Sequence, residues 1–334
     1  MKKIIASILP LLLLLPLCFS LQSCSAEKTY SEGEGEINIL CSSFAPFDFA
    51  RNVGGDRVTV SLLQDSGADL HNYTPTVATL DAISKADIFI YIGGTSDSWV
   101  HDTVEAAGNG DLVTLCLMDF IDPIHAELEN DWTSHSHEEA EEHGDHEENG
   151  HEGHDHGADE HIWTSVRNAI SVTEAIKDLL CDFDKDGRET YESNTAAYVT
   201  ELQRLDREIS EIAHANEGKP LLFADRFPFV YLMHDYHIPY MAAFSGCSTE
   251  VNSGFETQID LIKKVGEHSL DCIIVIEGGD KSLAEAISRE TGCKILYMDS
   301  LQSVSRSDIK NEKTYISAME KNISVLREAY HVTD

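Results

Sequence analysis

The chain has 334 residues, 42% of them hydrophobic and 25% charged, enough for one large or two medium globular units with full cores. Its 59 acidic residues against 24 basic ones leave a formal net charge of −35. A surface of that sign repels nucleic acid and anionic membranes and attracts cations, so a nucleic-acid partner is excluded.

The N-terminus reads MKKIIASILPLLLLLPLCFSLQSC, with Lys2 and Lys3 ahead of a leucine-rich run and a polar segment after it. This is the pattern of an export signal over residues 1–23; as a membrane span the run would be short and interrupted by Pro10 and Pro16. Leu21-Gln22-Ser23-Cys24 resembles a bacterial lipobox, with Gln22 bulkier than the usual small residue. Cleavage before Cys24 would leave that cysteine lipidated and residues 24–36 as a tether. The chain is therefore expected outside the cell, anchored to the outer face of the cytoplasmic membrane or periplasmic. The remaining cysteines (Cys41, Cys116, Cys181, Cys247, Cys272, Cys293) are widely spaced and lack a CxxC. They read as small buried hydrophobes rather than a disulfide framework.

From Ile37 onward, short apolar runs alternate with helical patterns. INILCSSF, VTVSLLQ, IFIYIGG and LVTLCLMD read as buried strands; APFDFARNVGG, TVATLDAISKA and DSWVHDTVEAAG between them read as helices. Such alternation implies βαβ units with a mainly parallel sheet. Residues 37–126 form an N-terminal α/β lobe on this reading, and 127–160 break the pattern. Residues 161–217 are a helical connection whose second part is long, with Tyr191, Ala197, Tyr198, Leu202 and Leu205 assigned to one stripe. Residues 218–334 form a second α/β lobe, with strands at PLLFA, PYMAAF, CIIVIEG and KILYMD and helices near 228–236, 256–267, 281–291 and 312–328. The fold class is thus α/β, two lobes joined by a long spine helix. Ligands in open α/β sheets bind beyond the carboxyl ends of strands, so a cleft between the lobes is where chemistry belongs.

The loops after the strands carry sparse polar residues suited to a metal. His71 lies in DSGADLHNYTPT, His161 in DEHIWTS, Asp225 in DRFPF and Asp299 at the end of KILYMD. Two imidazoles and two carboxylates suit Zn²⁺ or Mn²⁺. Taken together these segments resemble the zinc/manganese solute-binding lipoproteins of ABC importers. GADLHNYTPT is similar to that family's G-x-x-P-H-x-Y-x-P loop, DEHIWTS to its D-P-H-x-W-x-D-P segment, YESNTAAYVTELQRLD to its spine helix and MDSLQS to its C-terminal D-x-L loop. The resemblance runs from about Ile37 to Val332. It implies two lobes bridged by a rigid helix with one metal between them, held by His71 and His161, by the loop of DRFPFVYLMHDY and by Asp299. In that third loop the family's His or Glu position falls on Arg226, which has no lone pair for a metal. Asp225 shifted by one residue, Glu277 in IEGGD or Cys247 in SGCSTE are the alternatives. DFDKDGRETYES, from Asp182, has the opening spacing of a calcium loop but Ser193 where a bidentate Glu is needed, so it reads as an acidic turn.

His135 to Trp163 hold eight histidines and eleven acidic residues with no lysine or arginine. The irregular, Gly-interrupted part cannot pack a core and reads as an accessory loop for weak multivalent metal capture. His161, against Ile162, Trp163 and a helix start, reads as a rigid ligand. The function expected is an extracytoplasmic carrier, not an enzyme, that captures Zn²⁺ (with Mn²⁺ as the alternative ion). It would act as a monomer and deliver the ion to an ABC permease and its ATPase. The competing readings are a zinc-dependent hydrolase, against which stands the lack of HExxH or a nucleophile elbow, and a metal-buffering or adhesion protein acting through the His-rich segment.

Overall fold

The computed structural model describes residues 30–32, 35–63, 70–124, 158–244 and 255–332. The export signal, Cys24, Cys247 and the histidine-rich run through residue 157 lie outside the described residues. No helix among the described residues is long and apolar enough to cross a membrane.

The first half folds as β1 (Tyr30–Glu32), β2 (Ile37–Cys41), α1 (Phe44–Gly54), β3 (Val58–Leu62), α2 (Val77–Lys85), β4 (Ile88–Tyr91), α3 (Val100–Ala107) and β5 (Val113–Cys116). The strands align in the order β1-β3-β2-β4-β5, all parallel except β1, which pairs antiparallel with β3. β1 falls in the stretch expected to be only a tether. The second half has α4 (Val166–Phe183), α5 (Arg188–Ala215), β6 (Leu221–Phe223), α6 (Val230–Asp235), β7 (Tyr240–Ala242), α7 (Phe255–Glu267), β8 (Cys272–Ile276), α8 (Ser282–Thr291), β9 (Lys294–Met298), α9 (Arg306–Lys310) and α10 (Tyr315–Ala329). Its sheet runs β7-β6-β8-β9, all parallel. In each sheet the chain leaves an interior strand, β2 or β6, toward one edge and then crosses to the other side. Each sheet thus has a switch point, between β2 and β4 and between β6 and β8, where crevices open at the strands' carboxyl ends.

Helices line both faces, which is why strands such as IFIY and CIIVI read as unbroken apolar runs rather than alternating ones. α5 spans 28 residues and buries Tyr191, Thr195, Tyr198, Leu202, Leu205, Ile209 and Ile212, spaced alternately four and three apart. That is a helix seam facing one continuous core. Ala197, assigned from the sequence to this stripe, is exposed, and Thr195 takes the inward position. The core runs from β2, β3 and β4 through α1, α4, α5 and α10 to β6 and β8, and smaller cores lie on the outer faces of both sheets. The two sheets therefore share one packed helical layer rather than meeting at a thin hinge.

The acidic stretch from Asp182 is a turn between α4 and α5. Asp184 accepts the N–H groups of Asp186 (3.1 Å) and Gly187 (3.2 Å), the Tyr191 hydroxyl (2.8 Å) and the Arg57 guanidinium (2.5 Å). Cys41, Cys181 and Cys293 are buried free thiols, and Cys116 and Cys272 are half-buried ones.

A buried charge sits at the junction of three helices. Asp48 on α1 is fully buried; its Oδ2 accepts the Tyr315 N–H of α10 at 3.0 Å and the Tyr198 hydroxyl of α5 at 3.2 Å, and Arg51 lies 2.7 Å from Oδ1. Burial pushes this carboxyl above its ordinary value, with the Arg51 charge and the Tyr315 N–H pulling the other way. Removing it would take this acceptor from the Tyr198 hydroxyl and the Tyr315 N–H inside the core. Asp48→Ala is expected to destabilise the fold by about 3 kcal/mol, the scale for breaking one side of a buried pair. Urea unfolding checks this; a loss below about 0.5 kcal/mol, the level of an ordinary surface change, would show that Asp48 does not tie the helices together.

Candidate metal centre

Two histidines predicted from sequence meet here. His71 lies in a 3-10 turn, Leu70–Asn72, after β3, and α2 begins just beyond it with a capping box between Thr76 and Thr79. His161 precedes the 3-10 turn Ile162–Thr164, whose Thr164 N–H and hydroxyl both donate to the His161 carbonyl. Ser165 then caps α4. Trp163 is buried against the His161 ring, with centroids 5.3 Å apart, and its indole N–H donates to the Ser300 carbonyl at 2.9 Å. The Tyr315 hydroxyl donates to the Trp163 carbonyl at 2.8 Å. His161 is thus clamped between both halves of the chain.

The two Nε2 atoms lie 3.3 Å apart. Each ring is backed by a carboxylate on its other nitrogen: Asp159 Oδ1 lies 2.9 Å from His161 Nδ1, and Glu160 Oε1 lies 2.9 Å from His71 Nδ1. A carboxylate only accepts, so each Nδ1 carries the proton and each Nε2 presents a lone pair. This is the arrangement in which outer carboxylates orient metal-binding imidazoles. For Zn–N bonds of about 2.0–2.1 Å in a tetrahedron, two ligand nitrogens stand about 3.3 Å apart. The observed separation meets that requirement, so the donor set fits a zinc ion. Among the described residues, His71, Glu160 and His161 form a group whose ligand atoms all lie within 4.8 Å of one another. His161 is only 3% exposed, whereas the His71 side chain is 21% exposed and marks the side open to solvent.

Glu160 is held from several sides. The Ser96 N–H donates to Oε2 at 2.8 Å, the Ser96 hydroxyl donates to Oε1, and Ser96 Oγ also lies 2.8 Å from His71 Nδ1. Burial pushes the Glu160 carboxyl up, but the hydrogen bonds from His71 and Ser96 outweigh it and hold it below its ordinary value. Gly94 is required at this point. Its φ is +75°, and a Cβ there would stand 2.7 Å from Glu160 Oε2.

The C-terminal loops contribute differently from what the sequence suggested. Asp299 Oδ1 accepts the Leu301 N–H at 2.9 Å and Oδ2 pairs with Lys313 at 2.5 Å. Asp225 Oδ1 accepts the Arg226 N–H at 2.7 Å and Oδ2 the Ile276 N–H at 3.4 Å, fastening the end of β6 to the end of β8. Burial raises the Asp225 carboxyl, against the pull of those two N–H groups. Gly279 sits so close that a Cβ would be 2.0 Å from Asp225 Oδ2. Glu277 pairs with Lys321 on α10. The structure brings His71 and His161 together and does not bring Asp225, Asp299 or Glu277 into their group.

The C-terminal half instead places Gln302 at the pair. Its side-chain amide nitrogen lies 3.0 Å from His71 Nε2 and 2.7 Å from His161 Nε2, and the residue is 4% exposed. Sequence reasoning missed Gln302 and Glu160. Both lie inside quoted motifs: Glu160 stands where the D-P-H pattern has proline, and Gln302 follows three residues after Asp299.

The family model described as zinc-uptake complex component A, periplasmic, matches residues 39–329. The zinc-binding lipoprotein AdcA of Streptococcus pneumoniae serotype 4 is 31% identical over 319 residues, covering 95% of this chain and 60% of that protein. This chain therefore spans less than two thirds of the length of that relative. The high-affinity zinc uptake system protein ZnuA of Bacillus subtilis (strain 168) is 26% identical over 306 residues, 91% of each chain. Among solved structures, the Zn(II)-bound ZnuA-like domain of S. pneumoniae AdcA superposes with a TM-score of 0.70 at 26% identity, covering 89% of this chain and 99% of that one.

The loop after β4 is braced by Asp97, whose Oδ2 accepts the N–H groups of Ile92 (2.9 Å) and Gly93 (3.1 Å) and the Ser42 hydroxyl (3.3 Å). Burial pushes its carboxyl from 3.8 up to about 6; the Gly93 and Ile92 N–H groups oppose this, and the Glu160 charge adds to the rise. Because the folded value lies above the ordinary one, the native protein takes up this proton first, and stability falls as pH rises from about 4 through about 6. Asp97→Asn keeps an acceptor and is expected to remove that part of the slope. Urea unfolding across about pH 4 to 7 reads it, and an unchanged slope in the variant would reject the assignment.

Proposed function

The chain belongs to the zinc-uptake complex component A family, and from that premise we propose that it captures Zn²⁺ between its two halves and releases it to an ABC permease with its ATPase. The observation that carries this reading is the pair of carboxylate-backed imidazoles with Nε2 atoms 3.3 Å apart. Binding and release are the whole mechanism; the chain performs no chemical turnover. His71 and His161 are the ligands in this proposal. Glu160 and Asp159 orient the rings, and Asp225 and Asp299 shape the loops around them. An imidazole-rich set suits zinc better than manganese, which prefers carboxylate and water oxygens. Affinity falls as pH drops, because a protonated imidazole has no lone pair to give.

The protein is exported and held at the outer face of the cytoplasmic membrane by a lipid on Cys24. The histidine-rich run feeds ions to the centre. Asp159, just after that run in sequence, donates its N–H to the Ile124 carbonyl at 2.7 Å. The net charge of −35 concentrates cations around the whole surface.

Zinc titration against a competing chelator tests the reading. His71→Ala is expected to weaken binding by more than about 100-fold, and Glu160→Gln by about 10-fold, since outer partners of a metal site are worth 10–100-fold. Deleting residues 134–157 is expected to leave one tight site. If His71→Ala bound zinc as tightly as the parent, the centre would be lost as an explanation; if the deletion abolished tight binding, the histidine-rich run would be the binding element instead.

A further inference from the structure

The orientation of His161 depends on Asp159, and the main chain of Asp159 is held from the C-terminal half. Its carboxylate Oδ1 accepts the His161 N–H at 2.8 Å and stands 2.9 Å from His161 Nδ1, so the ring follows the Asp159 backbone. Two bonds fix that backbone. The Asp159 N–H donates to the Ile124 carbonyl at 2.7 Å, and the Asp159 carbonyl accepts the Tyr231 hydroxyl at 3.0 Å. The same hydroxyl accepts the Ile124 N–H at 3.2 Å, so one phenol oxygen ties Ile124 to Asp159 by giving its proton and receiving another. Burial pushes the Tyr231 phenol up to about 12, against the pull of the Ile124 N–H, so the oxygen keeps the proton it donates. Tyr231 belongs to α6, and one turn later α6 grips the far end of the same segment. The Ser165 hydroxyl donates to Asp235 Oδ2, and the Arg167 guanidinium donates to the Asp235 carbonyl at 2.5 Å. Positions four apart share one face of a helix, so α6 reaches from Asp159 to Ser165 with His161 between them. Tyr231 is buried, where depriving a carbonyl of its donor costs more than it does in water.

The geometry points to Tyr231 as a positioning residue of the metal centre: by holding the Asp159 carbonyl, its hydroxyl fixes the carboxylate that aims the His161 ring. This inference rests on the zinc site proposed above. Tyr231 acts through Asp159, whose carboxylate is the group in contact with the imidazole. His71 is oriented by a different set, Glu160 and Ser96. The two imidazoles are thus steered from different parts of the chain, His71 beside the loop after β4 and His161 under α6. A displacement of α6 against the first sheet would act on His161 through the Tyr231 hydroxyl while His71 stays with the loop after β4. That changes the separation of the two Nε2 atoms, on which a tetrahedral ion depends. One hydroxyl therefore links the position of the C-terminal half to the grip on the ion.

Tyr231→Phe removes the hydroxyl and keeps the ring. In the full chain it is expected to weaken zinc binding about 10-fold, the lower end of the range for outer partners of a metal site. Tyr330→Phe is the control for general loosening, since that buried tyrosine in the same half donates to the Lys219 carbonyl, ahead of β6, at 3.0 Å. It is expected to keep zinc affinity within about twofold of the parent. The ring N–H signals of the ¹⁵N-labelled metal-free protein give a readout independent of zinc. In Tyr231→Phe the His161 Nδ1 proton is expected to exchange with solvent faster than in the parent, while the His71 Nδ1 proton keeps its rate. In Tyr330→Phe both keep theirs. A Tyr231→Phe variant that binds zinc within about twofold of the parent, or whose His161 proton exchanges at the parent's rate, would overturn the assignment. So would an equal change at His71 and His161, or in Tyr330→Phe, because either marks lost stability rather than lost position. Should Tyr231→Phe not fold, the parent decides: its Tyr231 hydroxyl proton is expected to exchange slowly with and without zinc, and free exchange in either state would remove the role. Loss of binding in His71→Ala alongside unaffected Tyr231→Phe would leave the zinc site standing and remove only the role of Tyr231. A parent without a tight zinc site would sink the zinc reading, and the ring-proton comparison would still decide whether Tyr231 positions His161.

Discussion

Three consecutive residues, Asp159, Glu160 and His161, organise the whole centre. Asp159 holds the ring of His161, Glu160 holds the ring of His71 from a distant loop, and His161 supplies its own nitrogen to the pair. With both Nδ1 protons committed to carboxylates, the two Nε2 lone pairs are forced toward one point. The Gln302 amide nitrogen sits against both of them, 3.0 Å from His71 Nε2 and 2.7 Å from His161 Nε2, and ties the C-terminal half to the pair.

That construction works only if the rings cannot swing apart. Close-packed interiors resist such relaxation, and here one apolar core joins the two sheets through α1, α4, α5 and α10. The polar ties are placed at the seams of this layer. Asp48 joins α1 to α5 and α10, while Tyr231 on α6 donates to the Asp159 carbonyl at 3.0 Å and accepts the Ile124 N–H at 3.2 Å. Each tie crosses between segments far apart in sequence. The carboxylate–imidazole pairs thus sit on a frame that is rigid for reasons unrelated to metal binding.

Much of the fold was legible because its signals are local. Short apolar runs marked β2 through β9, and a stripe read from Tyr191 to Leu205 marked the spine helix. The misassignment of Ala197 shows the limit of reading a stripe from an incomplete set of apolar residues: Thr195 carries a hydroxyl yet occupies the seam. β1 was invisible because three polar-flanked residues acquire strand character only by pairing with β3. At the site, His71 and His161 could be singled out because their segments, GADLHNYTPT and DEHIWTS, resemble family motifs; a loop histidine taken alone is more often a surface residue. The expectation that Asp299 or Asp225 serves as a ligand came from the resemblance to the family's loops together with the chemistry of a carboxylate at a strand end. The structure gives these carboxylates the N–H groups of Leu301, Arg226 and Ile276 and the Lys313 ammonium, a use that spacing cannot distinguish from coordination. Gln302 was passed over for the converse reason, since a neutral amide is a common surface residue and only its burial against two Nε2 atoms gives it meaning.

Negative charge is concentrated around the imidazole pair. Asp159 and Glu160 place two buried carboxylates within one ring's width of the metal position, and Asp97 stands just behind the Ser96 loop. Burial, with the Glu160 charge adding to it, pushes the Asp97 carboxyl up to about 6. In the zinc reading proposed above, a divalent ion at the two Nε2 atoms would sit in the field of these carboxylates while being held by neutral imidazoles, so attraction and coordination would fall to different residues.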